Sequence, residues 1–432
     1  MTTNRSIVRD IIAVFNTKIV VLALTLISSV IIARTLGADG RGLIALALIY
    51  PQLMLSIMEG GMRQSATYYL GKKLASDNII LGILFVYIFI AGIAGAILVY
   101  LLMKYSAGVE FDISILLVSS IILPASLAVS TLRGYFLGKQ QIKHFNSVVW
   151  LQKLLYVAIV IILYLTDELS VFSLIVTNAA IALFNATQAF YFISIKLPAR
   201  PKYDHQTFIS MFKLGVIYAS GFFLIKANYQ VDILLLGWLS STAELGVYAL
   251  SVQLGELLWQ LPAAVMLVLM SKSANSQAGG KHIIESVCKS VRLTFLITIF
   301  SCFGLLIVCY LLIVPIYGDE FAGAFRMITF LAPGLILAPI FKTINAYYAG
   351  NGRPHTSIVI MGCAVIVNIV LNVLSIPIYG GVGAALSSSI SYALAALIFT
   401  LYFANKEQVK YREILFVKRS DFAPLIKKLR NR

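Results

Sequence analysis

Charge is scarce in this chain. Only 12% of its 432 residues are Asp, Glu, Lys or Arg, while 60% are hydrophobic and the mean hydropathy is strongly positive. A water-soluble domain carries roughly 25% charged residues, so a soluble globular fold is excluded and a polytopic membrane protein is indicated. Cysteine is rarer still. Cys288, Cys302, Cys309 and Cys363 form no C-x-x-C pair and three of them lie in apolar segments, which speaks against a disulfide framework or metal site and for small apolar packing residues. The four histidines (His144, His205, His282, His355) all fall in predicted connections and read as solvated loop residues. No G-x-x-x-x-G-K-[ST] loop, G-x-S-x-G elbow or H-E-x-x-H helix is present. The chain therefore shows no ATPase or hydrolase chemistry of its own and calls for no cofactor. The glycine-rich stretch ARTLGADGRG falls in a predicted external loop, where a nucleotide would not be.

Long apolar runs are what the sequence does have. About 20 apolar residues span a bilayer core, and twelve candidates satisfy this, near 15–36, 43–63, 79–103, 113–137, 146–166, 170–195, 212–238, 245–270, 291–315, 323–349, 356–377 and 383–404. The first is too long for a signal-peptide core and VIIARTLG offers no A-x-A cleavage site, so it reads as a retained span. The expected fold is all-α and polytopic. The net charge of +16 would suggest nucleic acid in a soluble protein, but its distribution says otherwise: 27 of the 34 Lys and Arg lie at the N-terminus, in alternate connections or the span ends beside them, and in the C-terminal tail, and only Arg34, Arg41, Lys104 and Arg326 lie in or beside the others. The positive-inside rule then puts both termini in the cytoplasm. The tail after Asn405, with Ile414, Leu415, Phe416 and Val417 among basic residues, reads either as a surface helix on anionic headgroups or as a solvated basic tail.

The two halves of the chain resemble one another. LRGYFLGKQQ (132–141) and INAYYAGNGR (344–353) align at a shift of 212, with Tyr135 on Tyr347, Phe136 on Tyr348 and Gly138 on Gly350. Gly42-Leu-Ile-Ala-Leu and Gly246-Val-Tyr-Ala-Leu align at a shift of 204. The expected organisation is an N-lobe at 1–200, a C-lobe at 201–404 and a basic tail at 405–432. Six spans per lobe give a parallel repeat about the membrane normal around a central cavity, a transporter architecture.

Ionisable residues inside the spans are expensive and face a partner or a water-filled cavity. Away from span ends these are Glu59, Asp232, Glu256, Lys153, Lys226 and Lys342, with Arg63 and Arg133 near span ends. At 1.5 Å per residue, Lys226 and Glu256 both fall near mid-membrane, so Lys226 is either a structural partner of Glu256 or a cation awaiting an anionic substrate. In FFLIKANYQVDILLLG (222–237), Lys226 and Gln230 share one helix face while Asn228 and Asp232 share another. Pro51, Pro124, Pro262, Pro333 and Pro339 interrupt spans two, four, eight and ten and bend them, as fixed packing kinks or as hinges.

ARTLGADGRGLIALAL, MEGGMRQSATYYLGKK and YQVDILLLGWLSSTAELGVYALSVQL resemble the Wzx-type polysaccharide flippases of the multidrug/oligosaccharidyl-lipid/polysaccharide exporter superfamily. The likeness covers nearly the whole chain and is most specific at Asp232–Gly237 and Glu244–Tyr248. It implies a flippase that moves undecaprenyl-pyrophosphate-linked oligosaccharide repeat units, for O-antigen, capsule or exopolysaccharide, across the bacterial inner membrane by alternating access. Implied partners are that lipid-linked glycan, membrane lipids, a polysaccharide polymerase and a chain-length regulator, and no nucleic acid. On this resemblance Lys226, Arg63, Lys153 and Lys342 would neutralise pyrophosphate, Gln230, Asn228, Tyr229 and Trp259 would meet the sugars, and Glu59, Asp232 and Glu256 would gate or couple transport. Glu59 stands where relatives often carry aspartate, which leaves that carboxylate's role open. Lipid II flippases of the superfamily carry two further helices, which argues against a peptidoglycan precursor as cargo. The competing reading is a cation-coupled multidrug exporter of the same fold. It would favour acids on span one, where only Asp10 lies nearby. A non-transporting scaffold leaves the intramembrane charges unexplained.

Overall fold

In the computed structural model the chain is helical, with no strand among the described residues. The structure describes all residues except 1, 107, 140–141, 197–200, 261, 263–280, 352–354, 419–420 and 422–432. It describes the backbone alone for 2–20, 142–150, 195–196, 281–282 and 350. The helices are α1 (Thr2–Met58), α2 (Met62–Gly71), α3 (Asp77–Lys104), α4 (Ile113–Gly138), α5 (Ile142–Leu165), α6 (Val171–Lys196), α7 (His205–Leu239), α8 (Thr242–Glu256), α9 (Lys281–Tyr317), α10 (Gly323–Gly350), α11 (His355–Lys406) and α12 (Tyr411–Leu415). The chain divides into two compact units, Met1–Ala219 and Ser220–Arg432, and α7 runs across the division.

Eight helices among the described residues are long and apolar enough to cross a membrane. Two of them each contain two of the expected spans. α1 joins the first pair across Gly37 (φ 66°) and α11 joins the last pair across Gly380 (φ 54°). The end of the eighth span (263–270), the first half of the connection at 271–290, and Gln140, Gln141, Gly352 and Arg353 of the repeat lie outside the described residues. Large apolar side chains point outward all along the helices, among them Phe89 (68% exposed), Phe300 (69%) and Ile378 (72%). Such a surface is unstable in water and at home among lipid tails. The protein is an all-α, multi-pass membrane protein.

In the first unit, Met62, Leu84, Leu132, Phe136 and Met211 pack into one buried cluster, and Ile32, Ile44, Val160, Leu169 and Leu174 into another. The second span, expected as one helix over 43–63, breaks after Met58 and resumes at Met62. Gly60 (φ 53°) and Gly61 (φ 67°) are both left-handed, a conformation that costs any residue with a Cβ roughly 1–2 kcal/mol. A Cβ on Gly61 would also fall on the Gly215 carbonyl. Two adjacent glycines thus turn the chain in a place where no polar loop signals a turn.

The second unit repeats the packing of the first at the aligned positions. Tyr135 and Phe136 are buried near the end of α4, with rings 6.1 Å apart; Tyr347 and Tyr348 are buried near the end of α10, with rings 5.1 Å apart. Leu46 and Leu250, paired by the other alignment, are both fully buried. Glu244 closes the Gly380 turn, since its carboxylate accepts from the Gly381 N–H (2.8 Å) and the Ser240 hydroxyl (2.6 Å).

The first part of the C-terminal tail is not simply solvated, because it docks on protein, while Phe416 and Val417 stay exposed. Ile414 of α12 is fully buried. The Arg292 guanidinium of α9 donates to both Asp421 oxygens, at 2.7 Å through Nε and 2.6 Å through Nη2, and to the Glu413 carbonyl. Asp421 also accepts from the Lys418 N–H. The hydrogen bonds and the guanidinium hold its carboxyl below the usual carboxylate range. Such a lowered group stabilises the folded state above the ordinary Asp value of about 4, and that contribution is lost as pH falls through the lowered value. Asp421→Asn leaves a buried cation without its counter-charge, at a cost of about 3–5 kcal/mol. Limited proteolysis should then cut near 411–421 far faster than in the parent, and the exchanged pair Arg292→Asp/Asp421→Arg should recover part of the protection. Equal cleavage of parent and Asp421→Asn would show that the pair does not hold the tail.

Candidate functional site

Each unit carries one cluster of the expected residues. In the first unit it forms at the break in the second span. Arg63 Nε stands 2.8 Å from Glu59 Oε1 across the Gly60–Gly61 turn. The Tyr87 hydroxyl of α3 donates to the Met58 carbonyl (2.8 Å), which capping at a helix end requires. α2 lies close against α4: a Cβ on Gly134 would overlap the Arg63 backbone, and the Thr67 hydroxyl donates to the Gly134 carbonyl. That approach brings Arg133 close enough to feel both Arg63 and Glu59. Two guanidiniums and one carboxylate leave the cluster net basic. Lys153 is elsewhere in the same unit, its ammonium 5.7 Å from the Tyr156 ring centre.

In the second unit, Lys342 and Glu256 come together. Their charges act on each other, so Lys342 of α10 is a cation set against Glu256, a pairing that the sequence reading, which weighed Lys226 for that place, did not include. The Lys342 ammonium lies 3.1 Å from the centre of the Trp259 ring and 4.7 Å from that of Tyr229. Tyr392 of α11 packs edge-on against both rings, at 5.8 Å and 5.6 Å. Local chemistry fixes the indole. Pro339 has no N–H, so the Leu335 carbonyl one turn earlier lacks its helical donor, and the Trp259 Nε1–H donates to it at 3.3 Å. Gly255 allows α8 this close to α10, since a Cβ there would meet Leu335. Glu256 itself is exposed.

The helical phase of α7 separates as the spacing predicted. Asn228 and Asp232 are buried and turn toward α11, while Lys226 and Gln230 are partly exposed. The Asn228 amide donates to Ser391 Oγ (2.7 Å), which passes a bond on to the Ala364 carbonyl. Asp232 accepts from the hydroxyls of Tyr248 and Ser388 (2.8 Å to Ser388) and from the Ile233 N–H. The most specific family pattern is therefore a hydrogen-bonded assembly: Asp232 meets Tyr248, and Glu244 holds the turn between the last two spans. Asn228 and Asp232 act from inside the packed unit.

Three groups were missed by sequence reasoning. Tyr392 gave no signal beyond an apolar helix. Ser388 and Ser391 lie in the run SSSIS, whose polarity within a span was the available hint. Arg41, placed in an external loop, is instead 8% exposed and donates to Ser29 Oγ (2.9 Å) and the Ser29 carbonyl.

Comparison with known proteins now adds to this geometry. The profile of a family described as "Polysaccharide biosynthesis protein" matches residues 31–326. A curated relative from Haloferax volcanii, "Probable low-salt glycan biosynthesis flippase Agl15", is 24% identical over 191 residues, which cover 42% of this chain and 39% of the relative's length. Among solved structures, a lipid II flippase, MurJ, in an inward closed conformation superimposes with a TM-score of 0.76 at 16% identity, over 97% of this chain and 96% of that one. An inward-facing MATE family transporter of the MOP superfamily does so with a TM-score of 0.65 at 13% identity, over 90% and 94%. At these identities the structural likeness establishes the fold that the three share. The profile covers most of the sequence, including the break in the second span and the Asp232–Tyr248 assembly, and the chain belongs to the polysaccharide biosynthesis protein family.

Proposed function

We propose that this protein is a non-catalytic transporter that flips polyisoprenyl-pyrophosphate-linked oligosaccharide repeat units, undecaprenyl-linked in bacteria, from the cytoplasmic to the outer leaflet by alternating access. The observation that carries the reading is the pairing of cations with aromatic faces inside the spans. A glycan pyrophosphate headgroup needs a cation for its phosphates and ring faces or polar groups for its sugars. Lys342 with Trp259 and Tyr229 offers both, and Arg63 with Arg133 adds a second basic cluster. Lys226 and Gln230, partly exposed on α7, would extend the headgroup contacts, and Lys153 would add a further cation. Glu59, Asp232 and Glu256 would supply the carboxylates that gate or couple transport. The family membership and the flippase relative support this assignment; O-antigen, capsule or exopolysaccharide precursors are the proposed cargo, and a polymerase with its chain-length regulator the proposed partners.

The excess of Lys and Arg in alternate connections supports an inner-membrane orientation with both termini in the cytoplasm. A C-terminal green fluorescent protein fusion should therefore fluoresce and a C-terminal alkaline phosphatase fusion should be inactive; the reverse pattern would invert the topology. A multidrug exporter of the same fold is the second reading, favoured by the exposed Glu256 carboxylate, which suits a cationic drug.

Mass spectrometry of lipid-linked sugars separates the two readings. A deletion strain should accumulate the pyrophosphate-linked oligosaccharide and lose surface polysaccharide, and the parent protein and Lys226→Arg should clear it. Lys226→Ala should lower flux about tenfold, matching the loss of one charge-assisted contact of 1.5–3 kcal/mol. Unchanged lipid-linked sugar on deletion would reject the flippase reading. Full activity of Lys226→Ala would remove that lysine from the site.

A further inference from the structure

The second unit contains more than a cation beside aromatic rings, because the cation lies on the surface a sugar would use. Aromatic faces carry negative quadrupolar charge. They attract an ammonium, and for the same reason they attract the weakly positive C–H face of a pyranose ring. One ring face cannot hold both. Lys342 lies over the Trp259 face at 3.1 Å and borders Tyr229 at 4.7 Å, so the lysine and a stacked sugar exclude each other there.

Which partner moves is decided by how each is held. Trp259 is fixed by its N–H bond to the Leu335 carbonyl, by Tyr392 against its edge, and by burial to 8% exposure. Tyr392, only 4% exposed, braces Tyr229 as well. Lys342 is held on its four-carbon stem by ring faces and by the charge of Glu256, and it makes no ion pair within 4 Å among the described residues. The buried Tyr229 hydroxyl has no hydrogen-bond partner among the described residues. A buried hydroxyl without a partner is rare in a native protein, and a ligand hydroxyl would satisfy it. The Glu256 carboxylate, exposed beside the rings, adds acceptors suited to sugar hydroxyls.

We propose that Tyr229, Trp259 and Tyr392, with Glu256, form a saccharide-stacking subsite that Lys342 covers, and that the anionic part of the same substrate uncovers it by drawing the ammonium off the indole face. The proposal rests on the flippase reading and adds to it an order of recognition. An ammonium–phosphate contact is charge-assisted and stronger than the cation–ring contact it replaces, so pyrophosphate goes first and the sugar follows. A free oligosaccharide, with no anion to move the lysine, is refused. The device thus selects for sugar and pyrophosphate on one molecule.

The sequence contains three tryptophans, Trp150, Trp238 and Trp259, so Trp150→Phe/Trp238→Phe leaves Trp259 as the sole indole reporter. The purified protein in nanodiscs would be titrated with inorganic pyrophosphate, with neutral N,N′-diacetylchitobiose, and with a short-chain prenyl-pyrophosphate-linked disaccharide. Pyrophosphate should shift Trp259 emission, and the linked probe should half-saturate about tenfold or more below the free disaccharide. Lys342→Met, which keeps length and apolar bulk, should abolish the pyrophosphate response and tighten the free disaccharide about threefold or more. Lys342→Arg should retain the anion dependence, which excludes simple misfolding as the cause. A disaccharide response identical in parent and Lys342→Met, or no effect of pyrophosphate on the parent, would overturn the proposal.

Cells separate this from failure of the flippase reading. If deletion accumulates lipid-linked glycan but Lys342→Met and Trp259→Ala restore flux fully, the flippase stands and the subsite falls. If deletion accumulates nothing while the fluorescence responses appear as stated, the subsite stands and its cargo is a different anionic glycoside.

Discussion

A carbonyl that loses its helical donor inside a bilayer has no water to turn to, and most of the specific chemistry in this protein answers that constraint. At three of the places where a span bends or breaks, a side chain replaces a missing backbone bond. Tyr87 does this for Met58 where the second span breaks, and Trp259 does it for Leu335 above Pro339. At the Gly380 turn it is an N–H that needs a partner, and Glu244 provides it. The indole is the informative case. Its N–H is committed to a structural task, its plane is thereby set, and the set plane presents a face to Lys342. A packing requirement and a recognition surface are met by the same ring.

The same economy explains the family pattern around α7 and α8. A buried carboxylate such as Asp232 is costly unless several donors converge on it, and Tyr248, Ser388 and the Ile233 N–H supply them. Gly246, between Glu244 and Tyr248, is buried. The spacing E-L-G-x-Y puts the acid at the helix start and the tyrosine one turn on, where each reaches α11 or α7. A loose pattern in sequence corresponds to a tightly bonded assembly in space.

Much of this was readable from the chain. Long apolar runs gave the spans, the aligned aromatic pairs gave the repeat, and helical phase correctly put Asn228 and Asp232 on one side of α7 and Lys226 and Gln230 on another. What could not be read were pairings across long sequence distances. Lys342 and Trp259 are brought together only by the Pro339 bend and the glycine contact at Gly255. Mid-membrane depth alone suggested Lys226 as the partner of Glu256, because depth is one coordinate and a pair needs three. The break at Gly60–Gly61 was hidden because it has no polar loop. Arg41 falls between the expected spans 15–36 and 43–63 and so read as a loop residue, whereas the turn at Gly37 leaves it within α1. The docking of the tail's first part was not legible because its basic residues outweigh, in any composition-based reading, the single Asp421 that pairs with Arg292.

The anchor has a consequence for how the chain is made. Arg292 and Asp421 are separated by 129 positions, and α10 and α11 lie between them. A nascent chain that has emerged only through those helices holds Arg292 without its counter-charge. Chains cut short by a premature stop keep that defect permanently, whatever the quality of their other contacts. The clasp therefore ties α9 to a segment that is made only after α10 and α11, so the α9 end cannot be secured until both of those helices are in place.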